Sequence, residues 1–149
     1  MEYKNIEGYS DPTAGEAISN VMREYRTRRR EEWQRLYELR SRPMVYIVSR
    51  YAGDVARNTE AAVRCCQYAI RKGAMPVASH LLYPQMLRDD DHAQREMGMA
   101  FGLALLALCH EVWVFKDRTG LSPGMEAEER EAKRLGKPVR YFDLEVTDG

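Results

Sequence analysis

Apolar residues along this chain gather into short runs set between longer polar or amphipathic stretches. Four such runs, residues 44–48, 75–78, 111–115 and 139–142, combine Val, Ile, Met and aromatic side chains and are each followed by a serine or a charged residue. Runs of that length and composition predict short buried strands. The stretches between them carry helical spacing. Gly53-Asp54 opens a helix over residues 55–71, with Asp54 placed as its N-cap. Its apolar face is read as Val55, Ala62, Cys66, Ala69 and Ile70, and Gly73 closes it. A helix over residues 92–108 is apolar on nearly every side after Met97. That fits a central helix of the monomer, or one that buries a side against a second subunit. A further helix over residues 123–135 ends at the turn Gly136-Lys137-Pro138, and residues 143–149 read as a polar tail.

Strand and helix therefore alternate, which predicts the α/β class. The expected architecture is a Rossmann-like parallel sheet of about four to five strands with flanking helices, plus an N-terminal helical extension. Asp11-Pro12-Thr13 is a helix start, and a long polar helix is expected from there to about Ser41, where Arg42-Pro43 breaks it. The domain reading is thus an extension over residues 1–42 and an α/β domain over residues 43–149. Ligands of open parallel sheets bind beyond the carboxyl ends of the strands. The loops meeting that rule are residues 49–54, 79–84 and 117–124.

Charge and cysteine content narrow the classes. With 23 basic and 23 acidic residues the net charge is zero, so no global field attracts nucleic acid or a membrane. One local exception runs from Met22 to Arg42, with eight arginines against four glutamates. No apolar run approaches the roughly 20 residues of a membrane span. The first residues are polar and acidic, unlike a signal peptide. Three cysteines, an odd number without a CxxC, suit reduced thiols and a cytoplasmic protein. No HxH, HExxH or Cys/His cluster is present, so no metal is expected; His92 and Glu96, spaced i,i+4, are only two ligands.

Residues 123–135 carry the sharpest chemical signal. At about 100° per residue, Met125, Glu128, Ala132 and Leu135 share one helix face. Glu126, Glu129, Arg130 and Lys133 fall opposite, with Glu126–Arg130 and Glu129–Lys133 at pairing distance along the helix. Glu128 alone points into the protein, and a carboxylate there must be paired, hydrogen-bonded or functional. The loop Ser49-Arg50-Tyr51-Ala52-Gly53-Asp54 precedes a helix N-terminus and suits an anionic group such as phosphate. It is neither GxGxxG nor a Walker loop. The second loop offers Ser79 and His80, and the third Ser122, Gly124 and Met125; Gly124 permits close approach of backbone to a ligand.

These residues resemble the nucleoside 2-deoxyribosyltransferase superfamily, which includes the nucleoside 5'-monophosphate N-glycosidases and many short bacterial and phage proteins. The match covers residues 44–142. Tyr46-Ile47-Val48-Ser49 is similar to the family's first strand and loop. The stretch from Ser122 through Gly124 to Glu128 fits the pattern D/S-x-G-x-x-x-E, and Gly136-Lys137-Pro138 matches the turn before the last strand. In that register the family's nucleophilic Glu falls on Glu128, the residue chosen by the helical face. Ser122 stands where deoxyribosyltransferases usually carry Asp and the monophosphate N-glycosidases carry Ser, and Ser79-His80-Leu81 resembles the latter branch. An acid that the transferases use on the helix before the third strand has no counterpart among residues 101–108, and Arg130 replaces a family Gly.

The resemblance implies cleavage of an N-glycosidic bond in a nucleotide or nucleoside, by hydrolysis or by 2-deoxyribosyl transfer, without a cofactor. It implies Glu128 as nucleophile and Tyr46 as its orienting partner. Substrate would be held by Ser49, Arg50, Tyr51, His80, Ser122, Gly124 and Met125, and a homo-oligomer, dimeric or larger, is expected. Two other readings remain open on the residues: a non-catalytic nucleotide-sensing module, and an adaptor working through the arginine-rich N-terminal helix.

Overall fold

The computed structural model describes residues 12–148 of the protein. The chain divides into two compact units, Met1–Ser41 and Arg42–Gly149. In the first, helix α1 spans Pro12–Arg40. It is built from strong helix formers and exposes Trp33, Leu36 and Tyr37 on its surface. Arg29 lies over the Tyr25 ring and Arg40 over Tyr37, so part of its positive charge rests on its own aromatic residues. The expected cap at Asp11 lies outside the described residues.

The second unit alternates strand and helix: β1 (Met44–Val48), α2 (Val55–Arg71), β2 (Met75–Val77), α3 (His92–Leu108), β3 (Glu111–Lys116), α4 (Pro123–Arg134) and β4 (Val139–Asp143). All strand pairs are parallel, in the order β2-β1-β3-β4. The α/β class and the parallel sheet with flanking helices are thus as the alternation requires, with four strands. The chain steps outward from β1 to β2 and then returns past β1 to β3, so the order reverses between β1 and β3. A crevice opens at such a reversal.

Strand side chains alternate between two cores. Tyr46 and Val48 of β1 with Val112 and Val114 of β3 pack with Leu106, Met125 and Ala132 of α3 and α4. Val45, Ile47, Trp113 and Phe115 face the other way, onto Cys65 and Ala69 of α2. Each fully buried aliphatic or aromatic side chain contributes roughly 1.5–3 kcal/mol. On that second face Tyr68, Trp113, Phe115 and Phe142 form one aromatic cluster.

Several expectations are refined by packing. The face of α2 is Ala61, Ala62, Cys65 and Ala69, while Val55 and Ile70 are exposed. Ala62 and Ala69 are buried and Cys66 packs against the core as expected, but the helix also buries Ala61 and Cys65 against the sheet, beside Tyr68. On α4, Met125, Glu128 and Ala132 are buried as expected, but Leu135 lies past the helix end and is exposed. Lys133 pairs with Glu129 at 3.8 Å. The segment after β4 is a 3-10 turn, Leu144–Asp148, with Thr147 buried, rather than a plain polar tail. Lys137 of the Gly-Lys-Pro turn donates from Nζ to the carbonyls of Ala107 and Cys109, which satisfies acceptors at the end of α3. Among the described residues no helix is long and apolar enough to cross a membrane.

Candidate active site

Each loop at the carboxyl edge of the sheet is tied down by local chemistry. Asp54 accepts from the Arg57 amide at 3.2 Å and starts α2. Asp91 does the same for α3 through Gln94, at 3.1 Å. Ser122 Oγ accepts from the Met125 amide at 3.3 Å and starts α4. Such caps are worth about 0.5–2 kcal/mol each. The three helix N-termini open onto one cavity of about 590 Å³. That volume lies within the usual range for small-molecule sites, roughly 300–1,000 Å³.

Tyr46, Ser49, Ser79, His80 and Glu128 line the cavity on its sheet side. Tyr51, Tyr83, Leu87, Met99 and Leu103 give it apolar and aromatic walls. Asp89, Gln94 and Arg95, from the loop before α3 and its first turn, add polar groups. Arg95 is the single arginine or lysine among the described lining residues.

Glu128 is 9% exposed, and its Oε2 has no hydrogen-bond partner among the described residues. Burial pushes its carboxyl up to a pKa of about 7, and the nearby Tyr46 hydroxyl pulls in the opposite direction. Tyr46 is fully buried and shares a 2.7 Å hydrogen bond with Ser79 Oγ. Burial first, then the Glu128 charge, raises the Tyr46 phenol far above its ordinary value, so it stays a neutral donor. His80 Nε2 lies 3.8 Å from Glu128 Oε1. Burial lowers the proton affinity of His80, against smaller opposing effects from the Ser49 backbone and Asp89. Neutral His80 beside a carboxyl that is half ionised near pH 7 is therefore a contact, rather than a fixed ion pair. The His80 ring stacks on Tyr51 with centroids 5.0 Å apart, and the Tyr51 hydroxyl donates to Asp89 at 2.8 Å.

Of the residues singled out from the sequence, Tyr46, Ser49, Tyr51, His80, Ser122, Gly124, Met125 and Glu128 all border this cavity. Ser49 Oγ is buried without a partner among the described residues. Arg50 is placed differently. Its Nε donates to Asp117 at 2.8 Å, and Nη2 donates to Thr119 Oγ1 at 2.8 Å and the Gly120 carbonyl at 3.3 Å. It ties the first loop to the third and does not line the cavity, because the acid at Asp117 is the nearer anion. Ser122 Oγ is occupied as an acceptor but keeps its own O–H to give.

Ser79, Asp89, Gln94, Arg95 and Gly102 border the cavity without having been chosen as site residues. Ser79 was legible as a loop residue after the second strand, and Gly102 had a local signal as a glycine inside an apolar helical run. His92 and Glu96, 3.1 Å apart, sit exposed on α3. The three cysteines are free thiols.

The fold is an α/β fold similar to that of a 2-deoxyribosyltransferase. It belongs to the family described as a domain of unknown function, DUF7768, whose model matches residues 43–142. Among solved structures, it is similar to a 2-deoxyribosyltransferase from the psychrotolerant bacterium Bacillus psychrosaccharolyticus, described as a biocatalyst for nucleoside synthesis. The TM-score is 0.57 at 14% identity, over 67% of this chain and 72% of that one, a likeness of fold. No curated protein matches the chain in sequence.

Proposed function

We propose that this protein cleaves the N-glycosidic bond of a nucleotide or nucleoside, with Glu128 as nucleophile. The observation that carries the reading is a buried carboxylate with an unpartnered oxygen at the wall of a ligand-sized cavity. A Glu128 oxygen attacks the anomeric carbon as the bond to the base nitrogen breaks, and the electron pair leaves with the base, which takes up a proton. Water then attacks the same carbon of the glycosyl ester, freeing the sugar and returning the carboxylate with release of a proton. A second base in place of water would give transfer. The sugar passes through oxocarbenium-like states that a neighbouring carboxylate stabilises. Tyr46 orients the carboxylate, and neutral His80 is suited to accept or relay a proton. Ser49, Ser122 and the backbone at Gly124 hold a 5' phosphate, with Arg50 acting through the loop that it ties. Tyr51 and Met125 contact the remaining faces of the substrate.

The test is incubation with a panel of nucleosides and their 5'-monophosphates, with chromatography for free base. Glu128→Gln abolishes base release and keeps binding, while exposed Glu126→Gln does little. If Glu126→Gln is the inactive variant, or neither substitution matters, the reading fails.

One observation favours a second reading. Asp89, the other carboxylate among the described residues lining the cavity, is tied to Tyr51 rather than free to protonate a leaving base. A nucleotide-sensing module would need no such acid. Calorimetric binding of a nucleotide with no free base formed selects it. Residues 1–42 are proposed as an extension separate from the α/β domain at 43–149. The exposed Met97, Phe101 and Leu108 on α3 fit the homo-oligomer that the family resemblance implies, which sedimentation at low concentration checks.

A further inference from the structure

Gly102 is buried in the middle of α3, where glycine is the poorest helix former after proline. Its backbone gives no reason for the choice, since its φ is not positive. Space does. A Cβ at this position would lie 3.2 Å from Ser79 Oγ and 3.3 Å from the Tyr46 hydroxyl, both closer than ordinary contact. Those two oxygens are themselves hydrogen-bonded at 2.7 Å. One turn earlier, Gly98 differs: a Cβ there would meet Leu87 Cδ1 at 3.6 Å, an ordinary contact.

We propose that Gly102 is a positioning residue, whose missing side chain leaves room on α3 for the Tyr46 and Ser79 hydroxyls to meet beside Glu128. The Tyr46 hydroxyl thereby keeps its aim at the carboxylate. The titratable groups facing Glu128 are Tyr46 from β1 and His80 after β2, and Cys109 after α3 faces Tyr46. On this side β3 presents Val112 and Val114, and α3 presents Leu106 beside Gly102. Among the described residues lining the cavity, the remaining charged groups are Asp89, which accepts from Tyr51, and Arg95 on α3. The catalytic arm of the test rests on the glycosidase reading; the titration arm does not.

The test compares Gly102→Ala, Ser79→Ala and Gly98→Ala in the full chain. The pH midpoint of Glu128 is read from the pH dependence of unfolding, each background referenced to its own Glu128→Gln variant. Gly98→Ala raises the melting temperature, as a helical Gly to Ala change does where there is room. Gly102→Ala moves the Glu128 midpoint upward by about half a pH unit or more, because the Tyr46 contact favours the ionised form. If bases are released, its kcat falls about tenfold with little change in KM, and the acid limb of the pH profile moves the same way. Ser79→Ala, which adds no bulk but removes the partner of the Tyr46 hydroxyl, moves the midpoint as well. A Gly102→Ala protein with the wild-type midpoint, stabilised as much as Gly98→Ala, overturns the proposal. Should Gly102→Ala fail to fold, an unmoved midpoint in Ser79→Ala overturns it instead. If the wild type releases no base, the glycosidase reading falls while the midpoint still decides the role of Gly102.

Discussion

Replacing Glu128 by Gln should make this protein more stable, and increasingly so as pH rises. Glu128 titrates near 7 in the folded chain against 4.5 as an ordinary glutamate, because burial disfavours its charge. A carboxyl whose folded pKa is raised contributes stability that is complete below the unfolded value and is lost as pH climbs through the folded one. The gap between 4.5 and about 7 amounts to about 3 kcal/mol at full ionisation of both states. Glutamine cannot ionise, so its variant escapes that loss. Its amide fits the cavity wall imperfectly, but that cost is the same at every pH and cancels in a comparison across pH. The expected result is that the stability of Glu128→Gln minus wild type grows by about 3 kcal/mol between pH 4 and pH 8, with most of the rise between 4.5 and 7. Urea unfolding followed by circular dichroism, at half-unit pH steps, measures it. Trp113, nearly fully buried in the sheet, gives a second probe by fluorescence. A difference that stays flat across this range refutes the buried, high-pKa carboxylate, and with it the physical basis for a poised nucleophile.

Other outcomes are expected. If Glu128 attacks as its carboxylate, base release rises with pH through about 7 and levels off above it, which initial rates at fixed ionic strength check. Arg50→Ala lowers stability by about 1 kcal/mol near neutral pH, the scale of a partly exposed ion pair. Arg50 holds Asp117 below the usual carboxylate range, so this loss shrinks as acid protonates Asp117, leaving the bonds to Thr119 and Gly120; paired urea titrations at pH 2 and 7 show it. Leu106→Ala, at a fully buried position, costs about 2–5 kcal/mol in the same assay. Lys137→Met leaves the Ala107 and Cys109 carbonyls without their ammonium donor and lowers stability by about 1–3 kcal/mol.

The helical phase of residues 125–132 was enough to single out Glu128, because 3.6-residue periodicity and an apolar stripe are local properties that survive folding. The same holds for the strand runs, for the Asp54 cap, and for the turn at Gly136, whose φ of 70° suits glycine. The fate of Arg50 was not local. A guanidinium beside a helix start suits phosphate until the fold brings Asp117, 67 residues away, within 2.8 Å. The apolar face of α2 was read correctly at Ala62, Cys66 and Ala69 but not at its ends, where Val55 and Ile70 are exposed, because burial depends on the surface opposite. Ser79 was legible only as a loop residue beside His80, and Arg95 and Gly102 carry no motif. They reach the cavity because the sheet order β2-β1-β3-β4 reverses beside β1 and gathers three loops and α3 around Tyr46. Periodicity and capping are thus written in neighbouring residues, whereas contact between a carboxylate, a phenol and an imidazole far apart in the chain depends on how the sheet is wound.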